Sequence, residues 1–266
     1  MNKEQKSIGE CTYCKKTFAK QGIYRHLKTH LQKKALDSKP GKSFLLKVEP
    51  NPDYWNKNVY FLALWIDGDT EMDDLDTFLR KIWLECCGHL SAFTDLNRRK
   101  LSRGGSMWDF FEAQELLEAG KTEEYEDLME QAKGEIPMGR KIKNAVFNGM
   151  KIEYKYDFGS STNLLITVMD EYPCKADEPI VILSRNEPLG VKCDICATHF
   201  AVEICTVHDW EEPSQFCKKC AKKHAKTCTD FADYAAMPIV NSPRMGVCDY
   251  RGGTIDLKRD GALKVI

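Results

Sequence analysis

MKIEYKYDFGSSTNLLITVMD (150–170) reads as two strands, 150–159 and 162–170, joined through Gly159-Ser160-Ser161 into a hairpin. Working outward, FLLKV (44–48), VYFLALWI (59–66) and PIVILS (179–184) also read as strands, the first two rich in aromatic and β-branched residues. DDLDTFLRKIWLECC (73–87) has a different period. Leu75, Phe78, Leu79, Ile82, Trp83 and Cys86 fall on one face of a helix. Thr70 and Asp73 are spaced as a capping box at its start. WDFFEAQELLEAG (108–120), which closes on a glycine, and the acidic TEEYEDLMEQAKG (122–134) predict two more helices. Residues 44–188 thus predict one α+β core domain.

The 266 residues are 42% hydrophobic and 30% charged, which excludes a mostly disordered chain. Lys and Arg number 39 against 40 Asp and Glu, so no global field draws the protein to nucleic acid or membrane. The balance hides an asymmetry: residues 1–43 are basic and 109–130 acidic. No apolar run reaches the roughly 18 residues of a membrane span. MNKEQKSIGEC at the start has no apolar leader region. The expectation is a cytoplasmic protein without a membrane partner.

Twelve cysteines are many for a chain without an export signal, where thiols stay reduced and Cys/His pairs read as zinc sites. Cys11-x2-Cys14-x11-His26-x3-His30 has C2H2 finger spacing, one residue short in the middle, with Phe18 and Ile23 as its small core. Such a unit (1–31) cannot bury enough surface to fold without its metal. LQKKALDSKPGKS follows, and 32–43 predicts a flexible linker. Of the finger's base-facing positions, Ala19 and Gly22 cannot read a base edge and Arg25 can. Lys15, Lys16, Lys20, Arg25 and Lys28 are the candidate nucleic-acid contacts, indifferent to sequence.

The C-terminal part (189–266) contains four ligand pairs: Cys193-x2-Cys196, Cys205-x2-His208, Cys217-x2-Cys220 and His224-x3-Cys228. The equal eight-residue gaps between the first three predict interleaving. One zinc would take Cys193, Cys196, Cys217 and Cys220, the other Cys205, His208, His224 and Cys228. With the finger that gives three Zn2+; a single ribbon on the two C-x2-C pairs would give two. Lys192, Lys218, Lys219, Lys222, Lys223 and Lys226 would offset thiolate charge.

Three stretches resemble the plasmid pRiA4b ORF-3-like family, a mobile-element passenger type: LDTFLRKIWLECCGHLSAF (75–93), YKYDFGS (154–160) and MPIVNSPRMGVCDY (237–250). The resemblance covers about 44–250 and implies an α+β fold with a mainly antiparallel sheet, in a family of undefined biochemical role. The family usually continues its Tyr-Asp-Phe-Gly with an acid, Trp and His; here Ser160-Ser161-Thr162-Asn163-Leu164 follow, and the finger is an addition.

No phosphate loop, dinucleotide fingerprint, nucleophile elbow or zinc-protease motif is present. His89, Tyr156 and Asp157 would converge if the helix–strand unit packs on the hairpin, but a structural His and a turn-shaping Asp are the simpler expectation. Cys86-Cys87, at the end of a buried helix, predict inert thiols. The residues favour a zinc-stabilised, non-enzymatic interaction protein whose partner is a protein or nucleic acid. Two alternatives stay open: a non-specific nucleic-acid binder using the finger, and an enzyme with a cleft near His89 and Asp157.

Overall fold

The computed structural model describes residues 7–54, 59–97, 114–125, 134–208 and 213–261. Its centre is a six-stranded antiparallel sheet of β3 (Pro40–Pro50), β4 (Leu62–Asp67), β5 (Ser91–Asp95), β6 (Lys151–Tyr156), β7 (Thr162–Cys174) and β8 (Ile180–Arg185). The order across it is β5-β6-β7-β3-β4-β8. The expected hairpin is β6–β7, with Tyr156 opposite Thr162. The fold class is α+β, as the sequence predicts.

Both faces of the sheet are covered, which explains why every residue of β4 is buried. Leu62, Leu64 and Ile66 join Phe44, Leu46, Tyr154 and Ile166 on one face, against α2 (Met72–Leu79). Ala63 and Trp65 join Leu45, Tyr172 and Leu183 on the other. That second face is covered by the N-terminal segment that reads as a finger. Its two short strands, β1 (Ile8–Glu10) and β2 (Thr17–Ala19), lead into α1 (Lys20–Asp37). Ile23, Tyr24, Leu27 and Leu31 of α1 lie in the same cluster as Trp65. Tyr24 Oη donates to Leu62 O at 3.0 Å. A Cβ at Gly9 would stand 2.7 Å from Arg185 O, so glycine permits β1 to lie this close to β8.

Three expectations change. The linker over 32–43 is instead helix to Asp37 and strand from Pro40, because the apolar side of α1 continues past the finger and docks on the sheet. The capping box starts at Glu71 rather than Thr70: Glu71 N donates to the Asp74 carboxylate at 3.1 Å. The helix over 73–87 stops early. A π-helical turn (Arg80–Leu84) follows α2, and Cys86 and Cys87 lie beyond it. Of the two acidic helices, 114–118 and 122–125 are helical, Ala119 and Gly120 form a turn, and 108–113 and 126–133 lie outside the described residues.

The C-terminal part forms a small sheet of β9 (Glu203–Cys205), β10 (Gln215–Phe216) and β11 (Ala236–Pro238), with α3 (Lys218–His224). The tail then returns to the core. Ser242 Oγ donates to Trp83 O (2.6 Å) and Thr254 N to Lys81 O (2.7 Å). The fully buried Arg185 holds Asp260 at 2.9 Å and Asp256 at 3.2 Å. No helix among the described residues is long and apolar enough to cross a membrane.

Candidate metal centres

The turn after β1 presents Cys11 and Cys14. Lys15, in the left-handed region at φ 60°, lets the chain fold back so that Cys11 N–H donates to Lys16 O at 2.9 Å. One turn of α1 separates His26 from His30. All four ligand atoms lie within 4.8 Å of one another. Cys14 Sγ is 3.2 Å from His26 Nε2, which is 3.1 Å from His30 Nε2. Zn–N of about 2.0–2.1 Å and Zn–S of about 2.3 Å give tetrahedron edges of roughly 3.3–3.8 Å, so the set is slightly tight and fits zinc. Phe18 stacks on His26 at 4.1 Å.

The C-terminal pairs interleave. Cys193 and Cys196 meet Cys217 and Cys220; Cys205 and His208 meet His224 and Cys228. Cys196 and Cys217 have sulfurs 3.9 Å apart, and Cys205 Sγ lies 3.1 Å from His208 Nδ1. Helix α3 serves both sets, with Cys217 as its N-cap, Cys220 inside and His224 at its end. The ring of His224 packs between Phe216 (4.3 Å) and Phe231 (4.9 Å). Its Nε2 is buried without a hydrogen-bond partner, a cost that an external ligand removes. The thiols are unequal. Hydrogen bonding from Thr198 and then His199 pushes Cys196 down to about 5, while burial and the neighbouring thiols push Cys220 up to about 12. A cation that takes all four as thiolates resolves this conflict.

A fourth set was not expected. Cys86, Cys87, His89 and Cys248 also bring their ligand atoms within 4.8 Å. The thiols expected to be inert at a buried helix end are instead in a turn, with Cys86 half-buried and Cys87 exposed, because the helix stops at Leu84. Nothing in the local spacing announces this set, since its fourth member comes from the tail. His89, Tyr156 and Asp157 do converge: His89 Nε2 is 3.6 Å from Asp157 Oδ2, and its ring meets Tyr156 edge-on at 5.8 Å. Asp157, at φ 65°, shapes the turn through Oδ1, which accepts from Gly159 N and Ser160 N. Its Oδ2 accepts from the buried Arg244 at 2.7 Å. Two cavities, about 10 and 480 Å3, are lined by neither His89 nor Asp157.

Of the five candidate nucleic-acid contacts, Lys20 pairs with Glu49 at 2.6 Å and Lys28 with Asp170 at 3.4 Å, both on the sheet side of α1. Lys15 lies 3.8 Å from Glu10. Lys16 and Arg25 are exposed.

No family model and no curated protein matches the chain. Among solved structures, a protein of unknown function, MM3350 from Methanosarcina mazei Go1, is similar over 56% of this chain and 71% of that one, with 12% identity and a TM-score of 0.36.

Proposed function

We propose that the protein is a zinc-binding, non-enzymatic interaction protein: an α+β scaffold on which a C2H2 finger and a two-zinc cross-brace are fixed. The observation that supports it is closure. Each of the three sets read from the sequence offers four ligands, which leaves no position for water or substrate, as in structural zinc sites. The sequence resemblance to the plasmid pRiA4b ORF-3-like family adds the proposal of a cytoplasmic accessory protein of a plasmid or mobile element. The partner is a protein. Non-specific nucleic-acid binding is the weaker reading, because Lys20 and Lys28 are paired across to the sheet, which leaves Lys15, Lys16 and Arg25 as the exposed members of the five.

Native mass spectrometry tests the metal reading. The wild type is expected to carry zinc in these three sets, and Cys228→Ser to lose one ion while the Cys193 set stays filled. Rapid alkylation of Cys205 and Cys228 in the zinc-supplied protein would remove the second C-terminal site. Affinity capture with and without nuclease tests the partner. A partner that survives nuclease supports the protein reading; its loss gives nucleic acid instead.

A further inference from the structure

We propose that Cys86, Cys87, His89 and Cys248 bind a further zinc ion, in a Cys3His site that clasps the C-terminal tail to the core. The inference stands apart from the function proposed above, since it uses none of the same ligands.

Distances come first. Cys87 and Cys248 have sulfurs 3.7 Å apart, and Cys248 Sγ is 3.6 Å from His89 Nε2. Both match the edges of a zinc tetrahedron, roughly 3.8 Å between sulfurs for Zn–S of about 2.3 Å. Both are far from the bonding distance of a disulfide, about 2.05 Å. These two edges fit zinc better than those of the finger.

The backbone is shaped for the purpose. Gly88 at φ 69° sits between Cys87 and His89, and its N–H is held by Glu85 Oε1 at 2.6 Å. Cys248 itself is left-handed at φ 55°. A left-handed residue other than glycine costs on the order of 1–3 kcal/mol and persists where its surroundings over-determine it. In an extended strand neighbouring side chains would point apart; this turn gathers three donors within four residues.

The surroundings complete the case. Arg244 is fully buried, and one terminal nitrogen, Nη2, donates to Asp157 Oδ2 at 2.7 Å and reaches Cys86 Sγ at 3.4 Å. Its guanidinium also lies 4.8 Å over the ring of Tyr156, whose hydroxyl donates to Glu85 at 3.1 Å. Three thiolates and a neutral imidazole on Zn2+ carry one net negative charge, and a buried arginine against one of the sulfurs offsets it. The count over the whole chain agrees. Of twelve cysteines and six histidines, only Cys174 and His199 fall outside the four sets. The exposure of Cys87 and Cys248 makes this the set that a chelator reaches first.

The test uses the full chain with zinc as the probe. Native mass spectrometry counts ions in the wild type, Cys87→Ser and Cys248→Ser. The expected result is one ion fewer in each variant than in the wild type, with the other sets still filled. An unchanged ion count in both variants overturns the proposal. Where a variant does not fold, alkylation of the native wild type, mapped by peptide, decides. Cys87 and Cys248 should be protected with zinc and labelled after chelation. Equal labelling in both conditions, or a Cys87–Cys248 disulfide in the purified protein, overturns it. Peptide mapping reads each set separately, so failure here and failure of the finger or cross-brace are different results.

Discussion

Glu49 lies buried on β3 between two lysines, Lys20 at the start of α1 and Lys47 on its own strand. Burial pushes its carboxyl up, but the hydrogen bonds and charges of Lys20 and Lys47 outweigh burial and hold it below its ordinary value. The sign follows. The pair stabilises the fold fully above the ordinary carboxylate range, and that contribution is lost as pH falls through the lower native value. Glu49→Gln should cost about 1.5–3 kcal/mol at pH 7, the worth of a hydrogen bond to a charged group. The gap to wild type should close below about pH 4. Urea titrations at neutral and acid pH check this; a gap that ignores pH would show that the ionised pair contributes nothing. The sequence placed Lys20 among phosphate contacts because its partner sits on another element and has no local signature. The expectation of buried thiols at Cys86 and Cys87 fails for a different reason: it extends a helical period that the π-helical turn ends at Leu84.

Helix α1 shows the limit of a metal motif. Ligand spacing reports the inside of a finger, and Phe18 and Ile23 were legible from it. It says nothing of the outside, where Tyr24, Leu27 and Leu31 face the sheet. That apolar stripe is present in the sequence, but it lies within the unit (1–31) read for its ligands alone, and the linker reading of 32–43 leaves it nothing to dock on. Leu27→Ala should therefore cost about 2–5 kcal/mol, as for other buried leucines, with zinc retained in the finger. Thermal unfolding with a zinc count checks it. Deleting residues 1–37 should expose Leu45 and Trp65 and cause aggregation; a soluble product with an unchanged melting temperature would sink this. Strand identities and the β6–β7 hairpin were legible because they are local. The order β7-β3-β4-β8 was not, because β3 pairs with strands both near and remote in sequence and no short pattern records that choice.

The whole molecule divides into a part with an apolar core of its own and a part whose interior is built from possible metal ligands. The sheet core is aliphatic and aromatic on both faces. The C-terminal cluster has nine buried residues, five of them cysteines from the two interleaved sets, so its interior is largely its own ligand set. Excess chelator should release hydrogen-exchange protection over 193–235 while β3, β4 and β7 keep theirs. Loss of protection everywhere at once would mean that the parts are one cooperative unit. The ion pair of Arg244 with Asp157 also sets an order in time. The two residues are 87 positions apart, and the cation is the later one. At about 5–20 residues per second, a ribosome delivers it roughly 4–17 s after the hairpin has been made. Through that interval the nascent hairpin corner must keep its carboxylate hydrated, and the middle of the protein closes only when the segment that carries Arg244 arrives.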